Sequence, residues 1–190
     1  MIGGIMEGKK YLDKVLLELR KESEKSKEPV LISEKCDVKK IAIYENDAYM
    51  MIPIEWQSMN PVWRCAKYNR SYRPEVIITD AHGDATITFS DVGKMDRLVG
   101  IRQCCMQLKN DMQEIWNQLV FYDSGAIKAG KKDVEWMDYK MFCIDSELYC
   151  LLFLFDVKNH LIMGNFHCSF SIYNRWKPQI LMLLETIEEV

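Results

Sequence analysis

The feature that most constrains this chain is the run from Leu148 to Phe155, eight apolar residues without a polar break. A strand with one wet face alternates apolar and polar residues, so an unbroken run predicts a strand covered on both faces. The run sits within residues 133–168, DVEWMDYKMFCIDSELYCLLFLFDVKNHLIMGNFHC, which read as three consecutive strands joined by two short turns. The middle strand is expected at the centre of a sheet, with helices packed on its two sides.

The flanking sequence supplies those helices. Leu98, Ile101, Cys105, Leu108, Met112, Ile115 and Leu119 step by three and four, which predicts an amphipathic helix over residues 94–118 laid on a sheet. A terminal helix is expected from about Ser171, with Ile172, Trp176, Ile180, Leu183 and Ile187 on its buried face. Pro178 belongs in its early turns, because deeper in a helix it costs about 3 kcal/mol. Residues 39–45 and 48–53 read as a strand pair around Asn46-Asp47, and Asn60-Pro61 opens a short helix. Residues 75–80 and 84–90 form a hairpin across AHGD, and residues 120–128 return as a strand. Within the hairpin, Ile87 and Phe89 fall on one face, and Thr86 and Thr88 on the other. Gly164 interrupts the last strand, where a bulge or a close helix contact would account for it.

Upstream lies a charged helix, residues 7–27, whose apolar stripe is Leu12, Val15, Leu16 and Leu19. A short exposed helix is marginal in water, so the stripe docks on its own domain or pairs with a second chain as a homodimer. Ser26 to Val30 ends this helix at Pro29. The organisation expected is residues 1–37 as helix and linker, then a domain over 38–190.

The chain has 190 residues, enough for one domain with a full core. A net charge of −3 gives no electrostatic invitation to nucleic acid. The longest apolar run falls short of the ~20 residues that span a bilayer, and the N-terminus lacks a secretory apolar core, so no membrane association is expected. Seven cysteines, an odd number without a C-x-x-C pair, predict free thiols in a reducing compartment, three of them inside strands. The expected location is cytoplasmic.

The order of elements, with helices segregated from antiparallel strands, is that of an α+β sandwich. Two stretches, MIPIEWQSMNP…AKYNRSYRPEVIITDAHGDATITF and ELYCLLFLFDVKNHLIMGNFHCSF…W, resemble the two halves of the bacterial PsbP/DcrB-like modules. The resemblance spans about residues 48–190. It implies a twisted antiparallel sheet covered by helices on both faces. Members include extrinsic photosystem subunits, lipoproteins, a nuclear-transport cofactor and secretion-effector chaperones, which share protein binding rather than a reaction. The chain carries no lipobox cysteine.

Catalytic constellations are not assembled by the sequence. His82 and His160 fall in turns, and His167 points away from its neighbour Cys168, so no metal ligand set converges. No G-x-S-x-G occurs, and Cys105 belongs to the helix stripe rather than to a reactive pair with Cys104. Asp133 and Glu135 share a strand face beside a turn and are read as solvated. Gly93 stands alone before the long helix and makes no phosphate cradle. No catalytic residue, metal or cofactor is therefore expected.

One stretch is unusual. WRCAKYNRSYRP, Trp63 to Pro74, carries Arg64, Lys67, Arg70 and Arg73 with no acid, interleaved with Trp63, Tyr68 and Tyr72. Aromatic residues and arginine are favoured at protein interfaces. Arg64, Lys67, Tyr68, Arg70 and Tyr72 are thus the candidate contacts for another protein. The alternative is that Tyr68 and Arg73 pin the loop to the sheet. The function expected is a non-catalytic cytoplasmic protein-interaction module, an adaptor or chaperone-like protein. The competing reading is a small-ligand-binding protein or enzyme that uses a cleft between sheet and helix.

Overall fold

The structure, a computed structural model, describes residues 37–68, 73–96 and 98–190. The helix expected over residues 7–27, and any dimer made through it, lies outside the described residues.

Strands β1 (Val38–Tyr44) and β2 (Ala48–Pro53) form the first hairpin. Its turn has positive φ at Glu45 and Asn46, 36° and 66°, the geometry that matches the twist of paired strands. The central pair is therefore one residue earlier than Asn46-Asp47. A two-residue strand β3 (Gln57–Ser58) leads into helix α1 (Pro61–Lys67). The next hairpin is β4 (Val76–Thr79) and β5 (Thr86–Lys94). Helix α2 (Ile101–Ile115) precedes the meander of β6 (Val120–Ala129), β7 (Lys132–Phe142), β8 (Glu147–Val157) and β9 (His160–Ser169). A 3-10 turn, Phe170–Ile172, opens into α3 (Tyr173–Leu184), and β10 (Glu188–Glu189) closes the chain.

Seven strands make one antiparallel sheet in the order β3-β4-β5-β9-β8-β7-β6. The apolar strand β8 lies beside the middle strand, which is β9. Along β8 successive residues point to opposite faces, and the run divides by parity. Tyr149, Leu151, Phe153 and Phe155 join one buried cluster; Cys150, Leu152 and Leu154 join another. Both faces are thus dry at this strand, as its lack of alternation predicts.

The first cluster includes Trp176, Ile180, Leu183 and Leu184 of α3, together with Ile43, Met50 and Ile52 of a second sheet, β1-β2-β10. The second cluster takes Cys105 and Met112 from α2. The architecture is α+β with a large antiparallel sheet, as expected. Cover by helices alone on both faces is not what the chain builds, because α3 shares its side with the small sheet. The sequence marks the β1–β2 pair of that sheet but not its third strand, whose two residues are too few to show periodicity.

Three local expectations need correction. The helix predicted from residue 94 begins at Ile101, because Ser90–Lys94 continue β5 and pair with β9 as far as His160. Gly93, with φ of 119°, sits at a β-bulge after Asp91, whose Oδ1 accepts from its N–H at 2.7 Å. Leu98, at 93% exposed, therefore belongs to the connection and not to the stripe, and Ile115 at the other end is also exposed. Pro178 is the sixth residue of α3, past the first turn, so the helix forfeits a bond to the carbonyl of Asn174. Cys143 is exposed between β7 and β8 rather than inside a strand. It and the five other cysteines among the described residues are free thiols; Cys36 lies outside them.

Gly164 is explained by neither a bulge nor a helix. It lies directly opposite Phe153, and that ring occupies the space above it: a Cβ there would stand 2.0 Å from Cζ. Gly125 is paired with Trp136 in the same way, with 3.1 Å to the indole nitrogen.

Candidate functional site

Helix α1 begins where Asn60 caps it, its side chain accepting the Val62 N–H at 2.8 Å, with Pro61 at the first position. None of its seven residues is fully buried. Val62 is 73% exposed and Trp63 43%. A helix this short is not held by its own hydrogen bonds; polar ties at its sides hold it instead. Arg64 Nη2 donates to the Pro74 carbonyl at 3.1 Å, and Lys67 Nζ donates to the Gly83 carbonyl at 2.7 Å. Lys67 also stands 5.7 Å from the centre of the Trp63 ring, a cation–π contact. Gly83, with φ of +74°, receives that indole so closely that a Cβ would lie 2.9 Å from it. The β4–β5 turn is itself tied by the Asp84 N–H on Asp80 Oδ1 at 2.9 Å.

The sequence candidates separate on this geometry. Arg64 and Lys67 come together on α1, each engaged with a backbone carbonyl. Arg70 and Tyr72 lie outside the described residues. Arg73 Nη1 approaches Cys65 Sγ at 3.8 Å, which returns the end of the stretch to α1. Lys67 lies beside the turn that bears Asp80 and Asp84, so the absence of acids holds in the sequence but not in space. Tyr68 is half-buried and its hydroxyl oxygen has no hydrogen-bond partner. Burial, and then the nearby Cys150, push its pKa up to about 12.

Tyr68 and Lys67 bring α1 over the polar half of the second sheet face. Register places Thr79, Thr86, His167, Cys150 and Tyr139 in one row across β4, β5, β9, β8 and β7. Thr79 Oγ1 lies 3.1 Å from the Ala85 carbonyl and 3.2 Å from Thr86 Oγ1. In the next row Thr88 Oγ1 donates to the Asn165 carbonyl at 3.3 Å, while Asn165 Oδ1 is buried without a partner. Burial, and secondarily the positive Lys67, push the pKa of His167 down to about 4, so it is neutral near pH 7.

Two further polar clusters escaped the sequence reading. Asp138, fully buried in β7, accepts the Asp123 N–H at 2.6 Å and the Tyr149 hydroxyl at 2.8 Å, and it pairs with Lys177 at 2.6 Å. Its only sequence signal is an acid in the middle of EWMDYKMF, where alternation fits a solvated face equally well. Asp91 carries His160 Nδ1 at 2.8 Å and the Tyr44 hydroxyl at 3.3 Å. Hydrogen bonds from Gly93 and His160 outweigh desolvation and hold its carboxyl below the usual range. Both clusters join distant strands through fully used hydrogen bonds. Asp133, read as solvated, forms an ion pair with Lys128. Among the described residues no three His, Cys, Asp or Glu side chains converge as a metal site, and no helix is long and apolar enough to cross a membrane.

This sheet and its helices define the PsbP-like fold. The cyanobacterial PsbP, CyanoP, of Synechocystis superposes with a TM-score of 0.61 at 9% identity, over 82% of this chain and 94% of that one. The Ran-binding protein Mog1p of Saccharomyces cerevisiae gives 0.54 at 8% identity, over 82% and 97%. LpqN of Mycobacterium tuberculosis, involved in cell envelope biogenesis, gives 0.51 at 11%, over 80% and 90%. No protein-family model and no curated protein matches the sequence. At such identities the likeness is one of fold.

Proposed function

We propose that this chain is a non-catalytic protein-interaction module of the cytoplasm, and that it engages another protein through α1 and the basic stretch that follows. The observation that carries the reading is α1 itself, a helix with no buried residue that presents Val62 and Trp63 beside Arg64 and Lys67. Exposed aromatic and apolar side chains among cations are the composition of an interface centre with its steering charges. The fold shared with a Ran-binding protein supports the class of function, and the free cysteines support a reducing compartment. The candidate contacts remain Arg64, Lys67, Tyr68, Arg70 and Tyr72. Arg64 and Lys67 act through their aliphatic stems and remaining N–H groups, since each already has one backbone partner.

Those ties decide the test. Reversal of Lys67 would cut the α1–Gly83 bond and confound binding with folding. Val62→Glu combined with Arg70→Glu leaves both ties in place. Immobilised wild-type protein should recover a partner from lysate of its own host, with recovery falling at least tenfold for the double variant and at raised salt. The melting temperature should stay within about 2 °C, because surface changes away from special features stay within ~0.5 kcal/mol. Equal recovery by the folded double variant would remove α1 from the interface.

A further inference from the structure

The large sheet ends on one side in β6, which among the described residues pairs with β7 alone. The two-residue turn Gly130-Lys131 decides which of its backbone groups that pairing uses. Such a turn closes on a pair, here Ala129 and Lys132, that exchanges both hydrogen bonds, and the exchange recurs at every second residue. Ala129, Ile127 and Gly125 therefore bond to β7. The N–H and carbonyl groups of Ser124, Ala126 and Lys128 point the other way, off the edge of the sheet. All three residues are exposed, and helix α2 packs on β7 and β8 instead.

Open edges invite pairing, and proteins blunt them with bulges, prolines and charges. Here the bulge after Phe121 stops at Ser124, and from Ser124 to Ala129 the strand is regular, without proline, and carries the single charge of Lys128. These outward groups are their own complement. An antiparallel copy laid about Ala126 sets Ala126 against Ala126 and Ser124 against Lys128 at either end, with both hydrogen bonds made at each pair. On one face each Lys128 then comes opposite Ser124 of the second copy and diagonal to its Glu135, across small side chains, so no like charges are opposed. On the other face Ile127 comes opposite Gly125 of the second copy, where the Trp136 indole lies 3.1 Å from the place of a Cβ. Ile127 and Trp136 are both half-buried, so the pairing covers apolar surface that one chain leaves partly wet. We propose that β6 is a self-recognition edge, through which two copies of the chain join antiparallel about a two-fold axis at Ala126 into one continuous sheet. A contact of about six residues a side is well short of the ~20–30 of a standard interface, so the dimer is reversible and concentration-dependent. The surface is separate from α1, which is tied to the β4–β5 turn toward the other edge, and the inference does not depend on the interaction-module reading.

Sedimentation of the full-length chain from about 1 to 300 µM should show its average mass rising toward twice that of one chain. Ala126→Pro removes an outward N–H that β7 does not use, a place where an edge strand tolerates proline. It should hold the mass at one chain throughout. Two further variants leave the backbone alone. Ser124→Glu meets Lys128 of the second copy at both ends and should tighten the dimer, whereas Ser124→Lys should loosen it, with dissociation constants about tenfold apart. Net charge alone would give the reverse order, since the chain already carries −3. If Ala126→Pro loses its native circular dichroism, the Ser124 pair decides. A wild type that stays at one chain at every concentration would overturn the proposal, even if Ala126→Pro then lost capture of another protein. So would a dimer that survives Ala126→Pro in the folded chain, which would move the contact to the Leu12–Leu19 stripe or another surface. Equal or reversed affinities of the two Ser124 variants would likewise overturn the register.

Discussion

The pairing of Gly164 with Phe153 makes a quantitative prediction. A Cβ at Gly164 would stand 2.0, 2.2 and 2.7 Å from three ring carbons of Phe153. Carbon atoms rest about 3.5–4.0 Å apart, so the ring must retreat by ~1.5 Å. It has nowhere to go: Phe153 is fully buried, edge-on to Phe89 at 5.8 Å and stacked near Phe155 at 6.2 Å. Forced overpacking costs about 1–3 kcal/mol and occasionally more. Against it stands about 0.4–1 kcal/mol gained by restricting the unfolded chain. Gly164→Ala should therefore lose ~1–2 kcal/mol. Phe153→Ala should lose ~3–5 kcal/mol by opening a cavity. In the double variant the clash is gone and the new methyl group enters the cavity, so its loss should match Phe153→Ala alone or be slightly smaller. The coupling is then ~1–2 kcal/mol in favour of the double variant, outside the ~0.5 kcal/mol scatter of independent sites. Urea denaturation followed by circular dichroism measures all four proteins. Additive losses would refute the reasoning, because they would mean the ring does not depend on the missing side chain.

Other perturbations test the remaining contacts. Trp176, buried between Trp56 at 5.3 Å and Phe166 at 5.9 Å, should cost ~3–5 kcal/mol as Trp176→Ala, and a loss under about 1 kcal/mol in urea would contradict its burial. His167 has a folded pKa of about 4 against ~6.5 unfolded, so only the unfolded state gains the proton as pH falls through 6. Stability present above pH ~7 should thus decline between pH 6.5 and 4, and between pH 7.5 and 5 the wild type should lose about 1–2 kcal/mol more than His167→Gln; parallel pH profiles would exclude a buried neutral imidazole. Lys177→Met should cost ~3 kcal/mol in thermal or urea unfolding, because it leaves the Asp138 carboxylate buried without its cation, and a neutral result would show that Tyr149 and the Asp123 N–H suffice.

What could be read from the sequence follows the range of the forces involved. The run Leu148–Phe155, the hairpins and the centre of α2 announce themselves through periodicity, which is local. The start of α2 does not, because Leu98 fits the helical stripe and only pairing with β9, some seventy residues away, keeps Ser90–Lys94 extended. The small sheet is invisible for the same reason: Glu188 and Glu189 look like a solvated tail until they meet Ala48 and Tyr49. Gly164 reads as an interruption, yet the ring that fills its place belongs to the neighbouring strand. At the candidate site the cations of Trp63–Pro74 were legible as a cluster. The carbonyls that hold Arg64 and Lys67, and the buried polar row beneath Tyr68, arise only when β4, β5 and β9 align.

The two faces of the large sheet divide the work of the molecule. The first face is apolar nearly throughout, with Phe89, Phe153, Phe155, Phe166 and Trp176 in one cluster, and burial of one such side chain stabilises by roughly 1.5–3 kcal/mol. The second face is mainly apolar beneath α2, with Ile77 of β4 buried beyond it. From β9 to β4 it carries Asn165, His167, Thr88, Thr86 and Thr79; the threonine hydroxyls bond each other or a strand carbonyl, which roughly offsets the cost of taking them out of water. A row of valines would pack there at less cost, so stability does not explain these residues. Truncations on the first face should therefore cost more in unfolding curves than truncations of Thr79 or Thr86 on the second.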